Sequence, residues 1–392
     1  MSRPRTVRVR HHRRARASLL AVVACMVGCL AVALLAPGTS LAEEQPGDWL
    51  PTASLPGTGG RLELTPFPIL FYTPETRGAF GVGAWVIARK DGEPTNGLPN
   101  NVWLSAVYTQ EQQTILQAIP ELYFADGAYR LQLRLRYLNF PTRFYGIGND
   151  TPDTAEEGYT PVTHAARVTF TRRVVEALSM GVRADYDHTE IERVEAGGLL
   201  ATGAVPGATG SRVGGLGLVL RRDTREQHFN PHDGSLLELT ALRYHDLDGA
   251  PFRYDRSDLD WRWYIPLGMR QVLGLQALAQ SIAGEAPFSA LPRLGGKFLF
   301  RGLFEGRYRD KNLLVVQAED RIHVFGRLGA TVFASYGDVA ERPRAFTLRT
   351  FKRAGGFGLR YAYNRRERIN VRLDVAFAPG SHGIYFSAGE AF

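Results

Sequence analysis

After residue 63, apolar and polar positions alternate with a period of two along most of the chain. In YRLQLRLRY, Leu131, Leu133, Leu135 and Tyr137 share one face, and Arg130, Gln132, Arg134 and Arg136 share the other. DLDWRWYI sets Leu259, Trp261, Trp263 and Ile265 against Asp258, Asp260, Arg262 and Tyr264. INVRLDVAF sets Ile369, Val371, Leu373, Val375 and Phe377 against Asn370, Arg372, Asp374 and Ala376. Such alternation belongs to strands with a different environment on each face. A soluble sandwich alternates as well, so the polar face decides. Here it carries arginines and acids strand after strand, over lengths near the roughly 9–11 residues a tilted strand needs to cross a bilayer. Ionic inside and apolar outside describes a water-lined barrel in lipid.

The pattern predicts strands over 64–73, 79–90, 101–111, 113–123, 128–137, 158–173, 176–188, 212–222, 234–245, 252–264, 269–284, 312–324, 326–337, 354–364, 369–378 and 382–391. The fold class is therefore all-β, a 16-stranded transmembrane antiparallel β-barrel spanning 64–392, and an even count is the rule for single-chain barrels. Both ends then lie on the periplasmic side. The long connections 138–157, 189–211, 285–311 and 338–353 all face outward, while the inward ones, such as 174–175, 266–268 and 365–368, are short. Phe392 ends the chain as the terminal aromatic expected of a last barrel strand.

The first 42 residues change the charge picture. Residues 1–17 hold seven arginines and no acid, and SLLAVVACMVGCLAVALLAPGTSLA follows. A basic head, an apolar middle and small residues at the end make a secretory signal peptide, with cleavage expected after Ala42. Those seven arginines supply all but one unit of the net +8, so the mature chain is nearly neutral and nothing points to nucleic acid. Both cysteines, Cys25 and Cys29, lie in the same segment, so neither a disulfide nor a thiolate metal site is expected. Residues 43–63, rich in Pro and Gly, read as a short periplasmic segment, too short for an independent domain.

Catalytic candidates are few. DYDHTE gathers Asp185, Asp187, His188 and Glu190 at the predicted outer end of the seventh strand, where a solvated hairpin end accounts for them. NPHDG, 230–234, is turn chemistry, and the glycines of GSRVGGLGLVL suit a strand rather than a phosphate cradle. No nucleophile-elbow or zinc-protease motif is present, so no catalytic residue, metal or cofactor is assigned.

The outward segment 285–311 contains FRGLFEGRYRD, 300–310. With LRRDTREQHFNPHDGSLLEL, 220–239, and FPTRFYGIGNDT, 140–151, it resembles the outer-membrane assembly-factor superfamily of BamA, TamA and the two-partner-secretion transporters. The resemblance covers essentially the whole mature chain and is nearest a branch without periplasmic POTRA domains. It implies a sixteen-stranded barrel whose sixth outward loop folds into the lumen and docks an arginine on wall acids. Carried over, Arg301 and Gly302 form that latch, with Leu303 in place of an aromatic, and Glu319 is one acid. The second acid would fall at Ser335 in FASYG, a departure, and Asp338 lies on the opposite strand face. Gly306, Arg307, Tyr308, Arg309 and Asp310 complete the loop motif, and Asp310 is expected to pair with Arg307 or Arg309. Asp320 alternates onto the lipid face. The resemblance further implies assistance to polypeptide or lipid insertion or translocation, through a seam between 64–73 and 382–391. Implied partners are outer-membrane lipid, unfolded polypeptide clients and a separate periplasmic partner. The alternative is a passive or structural barrel.

Overall fold

A computed structural model describes residues 60–90, 100–227, 230–365 and 368–392. The predicted signal and most of the 43–63 segment lie outside them. Sixteen antiparallel strands form the wall. They are β1 (Gly60–Thr73), β2 (Arg77–Lys90), β3 (Asn100–Thr109), β4 (Thr114–Phe124), β5 (Tyr129–Asn139), β6 (Glu157–Val175), β7 (Leu178–Val194) and β8 (Gly210–Asp223). The second half comprises β9 (Gly234–Asp246), β10 (Arg253–Pro266), β11 (Gln271–Glu285), β12 (Asn312–Phe325), β13 (Leu328–Ala340), β14 (Lys352–Asn364), β15 (Ile369–Ala378) and β16 (Ser381–Ala388). Each strand pairs with its chain neighbour, and β1 pairs with β16 to close the ring.

The alternation sorts residues as lipid requires. Leu216 and Leu218 are each 66% exposed, and Trp261 and Trp263 stand outward at 45%. The lumen face carries ion pairs: Arg167 to Asp185 at 2.8 Å, Arg183 to Glu238 at 3.1 Å, Arg256 to Asp258 at 3.0 Å and Arg262 to Asp260 at 2.6 Å. Lipid offers no such partners, so charges turn inward and meet there.

Three expectations need correction. First, β7 runs to Val194, still paired with β6 at Tyr159. DYDHTE is therefore mid-strand, and alternation splits it. Asp185 faces the lumen against Arg167, while His188 stacks on His164 on the other face. Charge mimicked a loop because the strand's polar face is the lumen. Second, the last strand stops at Ala388. Gly389, at φ +80°, turns the chain off the wall, and Phe392 is buried with Tyr264 and Val272. Third, β1–β4 are largely apolar on their lumen face as well, Glu121 of β4 apart, with Phe67 against Trp103 at 5.0 Å and Trp103 against Trp85 at 5.3 Å. Asp320 does stand on the outer face, near the periplasmic strand ends, where Gln271 donates to both its oxygens.

Both mouths are crossed by chain. Outside, Phe144, Tyr159, Leu200, Phe252 and Phe288 from several loops bury one another. On the periplasmic side residues 224–227 and 230–233 reach across. Glu226 accepts from the His232 and Asp233 amides and pairs with Arg368 of the β14–β15 turn at 2.6 Å.

The seam is the weak joint. β1 matches β2 over fourteen residue pairs, but it meets β16 at Tyr72 and Phe386 alone. Pro66 and Pro68 remove two donors from β1, and its ladder to β2 runs unbroken through both, so the missing N–H groups face the seam. Directly opposed residues of an antiparallel pair have Cα atoms about 4.5–5.5 Å apart, within disulfide range. With Cys25 and Cys29 replaced by Ser, Tyr72→Cys with Phe386→Cys should therefore cross-link under mild oxidant in intact envelopes. A free-thiol barrel with normal heat-modifiable gel mobility would refute the closure.

Candidate functional site: the loop latch and the seam

Residues 286–311 leave β11, enter the lumen and return to β12. A two-residue ribbon pairs Arg293–Leu294 with Tyr308–Arg309 and forms the stem. The tip is tightened by the Gly296 amide on the Leu303 carbonyl and the Gly306 amide on the Leu294 carbonyl. Leu294, Phe300 and Leu303 then bury against Leu313, Val315 and Val339 of the wall. Leu303 serves here through burial alone, without an aromatic ring.

This seat carries Arg301 to the wall with 1% of its surface exposed. One Nη donates to Glu319 and the other to Asp374 at 2.6 Å, while the guanidinium lies 3.4 Å from the Phe333 ring centroid. Gly302 follows at φ +105°, and a Cβ there would sit 3.1 Å from the Phe377 backbone. Its amide donates to the Tyr385 hydroxyl at 2.9 Å. A side chain at 302 would strain the turn and push the loop off β15 and β16.

The second acid is Asp374 on β15, not Ser335. Ser335 shares the lumen face but bonds Gln317 and does not reach Arg301. Asp338 points elsewhere, accepting from Thr350 at 2.6 Å and Asn149 at 3.2 Å. A carboxylate two strands along serves equally well, because what the buried guanidinium requires is a charge within hydrogen-bond reach. Asp374 was visible on the polar face of INVRLDVAF, and its neighbour Arg372 was the available hint.

The cluster is larger than one pair. Arg321 bonds Glu319 at 2.9 Å, and Arg360 bonds both Asp374 and Glu390, the latter at 2.8 Å. Arg372 lies 3.6 Å from Asp374 and donates to Ser387 of β16 at 2.8 Å. The inward tail joins it, since Arg321 also donates to a main-chain oxygen of Phe392 at 2.9 Å. Arg321 and Arg360 thus touch the loop's acids and the tail together. Loop and tail share one set of charges.

The other motif residues dock the loop's outer half. Arg307 pairs with Asp153 at 2.6 Å and donates to Thr151, and the Arg309 carbonyl accepts from Gly148 at 2.8 Å. The Arg309 guanidinium stacks 5.0 Å over Phe144 and 5.5 Å over Phe288. Tyr308 lies under Arg307 and Lys352. Asp310 pairs with neither arginine. Its carboxylate accepts from the Lys311 amide, and burial, with Glu341 and Asp338 nearby, raises its pKa. Asn230 of the 220–239 motif accepts from Arg321 at 3.3 Å. All three sequence motifs therefore converge on this loop and its cluster.

Loop contacts reach both sides of the seam. Gly302 holds Tyr385 of β16, the Glu305 amide donates to Glu75 beside β1 at 2.9 Å, and Lys297 sits 4.1 Å over Phe71 of β1.

Among the described residues the cluster sets Arg301, Arg321, Arg360 and Arg372 against Glu319, Asp374 and Glu390. Removing an acid strands buried arginines, whereas removing Arg301 leaves Glu319 paired with Arg321 and Asp374 paired with Arg360. Asp374→Asn should thus destabilise the barrel by about 3–5 kcal/mol, the cost of stranding a buried charge. Arg301→Ala should lose less stability yet expose the loop to trypsin in whole cells, and Ser335→Ala should change neither. The melting temperature of the heat-modifiable band and a protease titration measure both. A Ser335→Ala defect equal to that of Asp374→Asn would overturn the assignment.

Residues 95–392 match the Omp85 superfamily domain. No curated protein matches the chain. Among solved structures it is similar to BamA from Haemophilus ducreyi lacking POTRA domains 1–3, at 14% identity and TM-score 0.59, over 85% of this chain and 70% of that one. CdiB from Acinetobacter baumannii aligns at 13% identity and TM-score 0.56, over 84% and 59% of the two chains. CdiB from Escherichia coli aligns at 10% and 0.54, over 84% and 67%. At these identities the likeness is one of fold. The family and the barrel indicate an outer-membrane protein, and the chain belongs to the Omp85 superfamily.

Proposed function

We propose that this barrel assists insertion or translocation of polypeptide at the outer membrane by parting β1 from β16, with the sixth outward loop as the brace that governs the parting. The observation that carries the reading is the single residue pair, Tyr72 with Phe386, holding the two strands edge to edge. A strand edge with unpaired backbone groups is a template for another strand. The loop holds both sides of this edge, and the tail of β16 shares its arginines, so release of one loosens the other. Clients would be unfolded outer-membrane or secreted polypeptides, delivered by a separate periplasmic partner. The role is one of passage and templating, with no bond chemistry. Chain crossing both mouths weighs against a permanently open pore.

The Tyr72→Cys/Phe386→Cys pair tests this directly. Oxidised in the envelope, it should reduce the levels of other folded barrels as far as depletion of the whole protein does, and a reductant should restore them. Unchanged client levels with the seam fully cross-linked would overturn the reading.

A further inference from the structure

Two features of the lumen are unused by the latch, and they adjoin. The first is the apolar lumen wall of β1–β4. Phe67, Trp85 and Trp103 pack in series, with Ile119 opposite Trp103, and all four are only half-buried. Elsewhere the lumen face is ionic, or buried beneath the loop.

The second is a pair of arginines on the next strand. Along β5, Arg130 pairs with Glu121, and on β6 and β7 Arg167 and Arg183 hold Asp185 and Glu238. Arg134 and Arg136 have no carboxylate within 4 Å among the described residues and no hydrogen bond, and the Arg134 Nε is buried without a partner. Arg136 is exposed to the lumen. Arg134 also stands directly across from Arg167, which adds like charge. Asp187 acts on Arg136 and Glu238 on Arg134 only from beyond ion-pair distance, so both guanidiniums keep free donors inside a lipid-embedded wall, an arrangement that suits an anion. Their side chains project from one face at i and i+2, close enough to converge on one phosphate group.

Strand register joins the two features. Phe67 lies opposite Gly83, Gly83 opposite Ser105, Ser105 opposite Gln117 and Gln117 opposite Arg136. This row crosses five strands, about 19 Å at the usual spacing. It starts at β1, the strand that faces the bilayer through the seam.

We infer that this half of the lumen binds an anionic phospholipid, its phosphate on Arg134 and Arg136 and an acyl chain along the Phe67–Trp103 wall. Entry is through the seam. Entry by that route rests on the parting proposed above, whereas binding itself requires no polypeptide client, so the two can fail separately.

Native mass spectrometry of the full chain in a nonionic detergent tests it, with dioleoyl phosphatidylglycerol and dioleoylglycerol as probes. The barrel should retain one phosphatidylglycerol after delipidation and no dioleoylglycerol. Arg136→Gln, at a side chain with no hydrogen bond or ion pair to lose among the described residues, should weaken retention about tenfold, and Arg134→Gln/Arg136→Gln should abolish it. Trp103→Ala should weaken the dioleoyl lipid but spare a dihexanoyl one. Lipids bound on the outer wall would be indifferent to all three changes. Retention unchanged in Arg136→Gln, or dioleoylglycerol held as well as phosphatidylglycerol, would overturn the site.

Discussion

A guanidinium sealed inside a membrane cylinder has nowhere to put its charge except on carboxylates of the wall. Arg301 meets that condition through Glu319 and Asp374, and the surrounding architecture serves the contact. The loop must enter the lumen to deliver it. Gly302 must be a glycine for the turn to lie against β15, and the apolar seat of Leu294, Phe300 and Leu303 must fix the depth. An ion pair of this kind adds less to stability than to uniqueness, because every misplaced arrangement leaves a bare charge in a low dielectric.

Most of the wall was legible because period-two alternation is a direct record of lipid on one side and ions on the other. The reading failed where a residue's partner lay far along the chain. Asp374 takes the second place in the latch from β15, 73 residues beyond Arg301, so no local motif could mark it. The charges of DYDHTE looked like a solvated rim because sequence shows polarity but not which polar side is enclosed. The terminal aromatic invited a strand up to the end, yet Gly389 and the ionic grip on Glu390 draw the tail inward. The three motifs were recognisable, but that they touch one another was a matter of three dimensions.

The departures cluster around the seam. Strands β1–β3 largely abandon the ionic lumen face, and β1 carries two prolines that a central strand would not tolerate. Pro66 and Pro68 were plain in the sequence and are the clearest local sign that this strand is an edge. A barrel that needed only to be a wall would have no reason for either feature.

Residues 224–227 and 230–233 limit traffic through the lumen. Fastened by Glu226 to Arg368 beneath the lumen, and matched by the apolar cluster above, they lay chain across both ends of the cylinder. Passage along the axis is thereby obstructed at each end, which leaves the side of the cylinder as its freer exit.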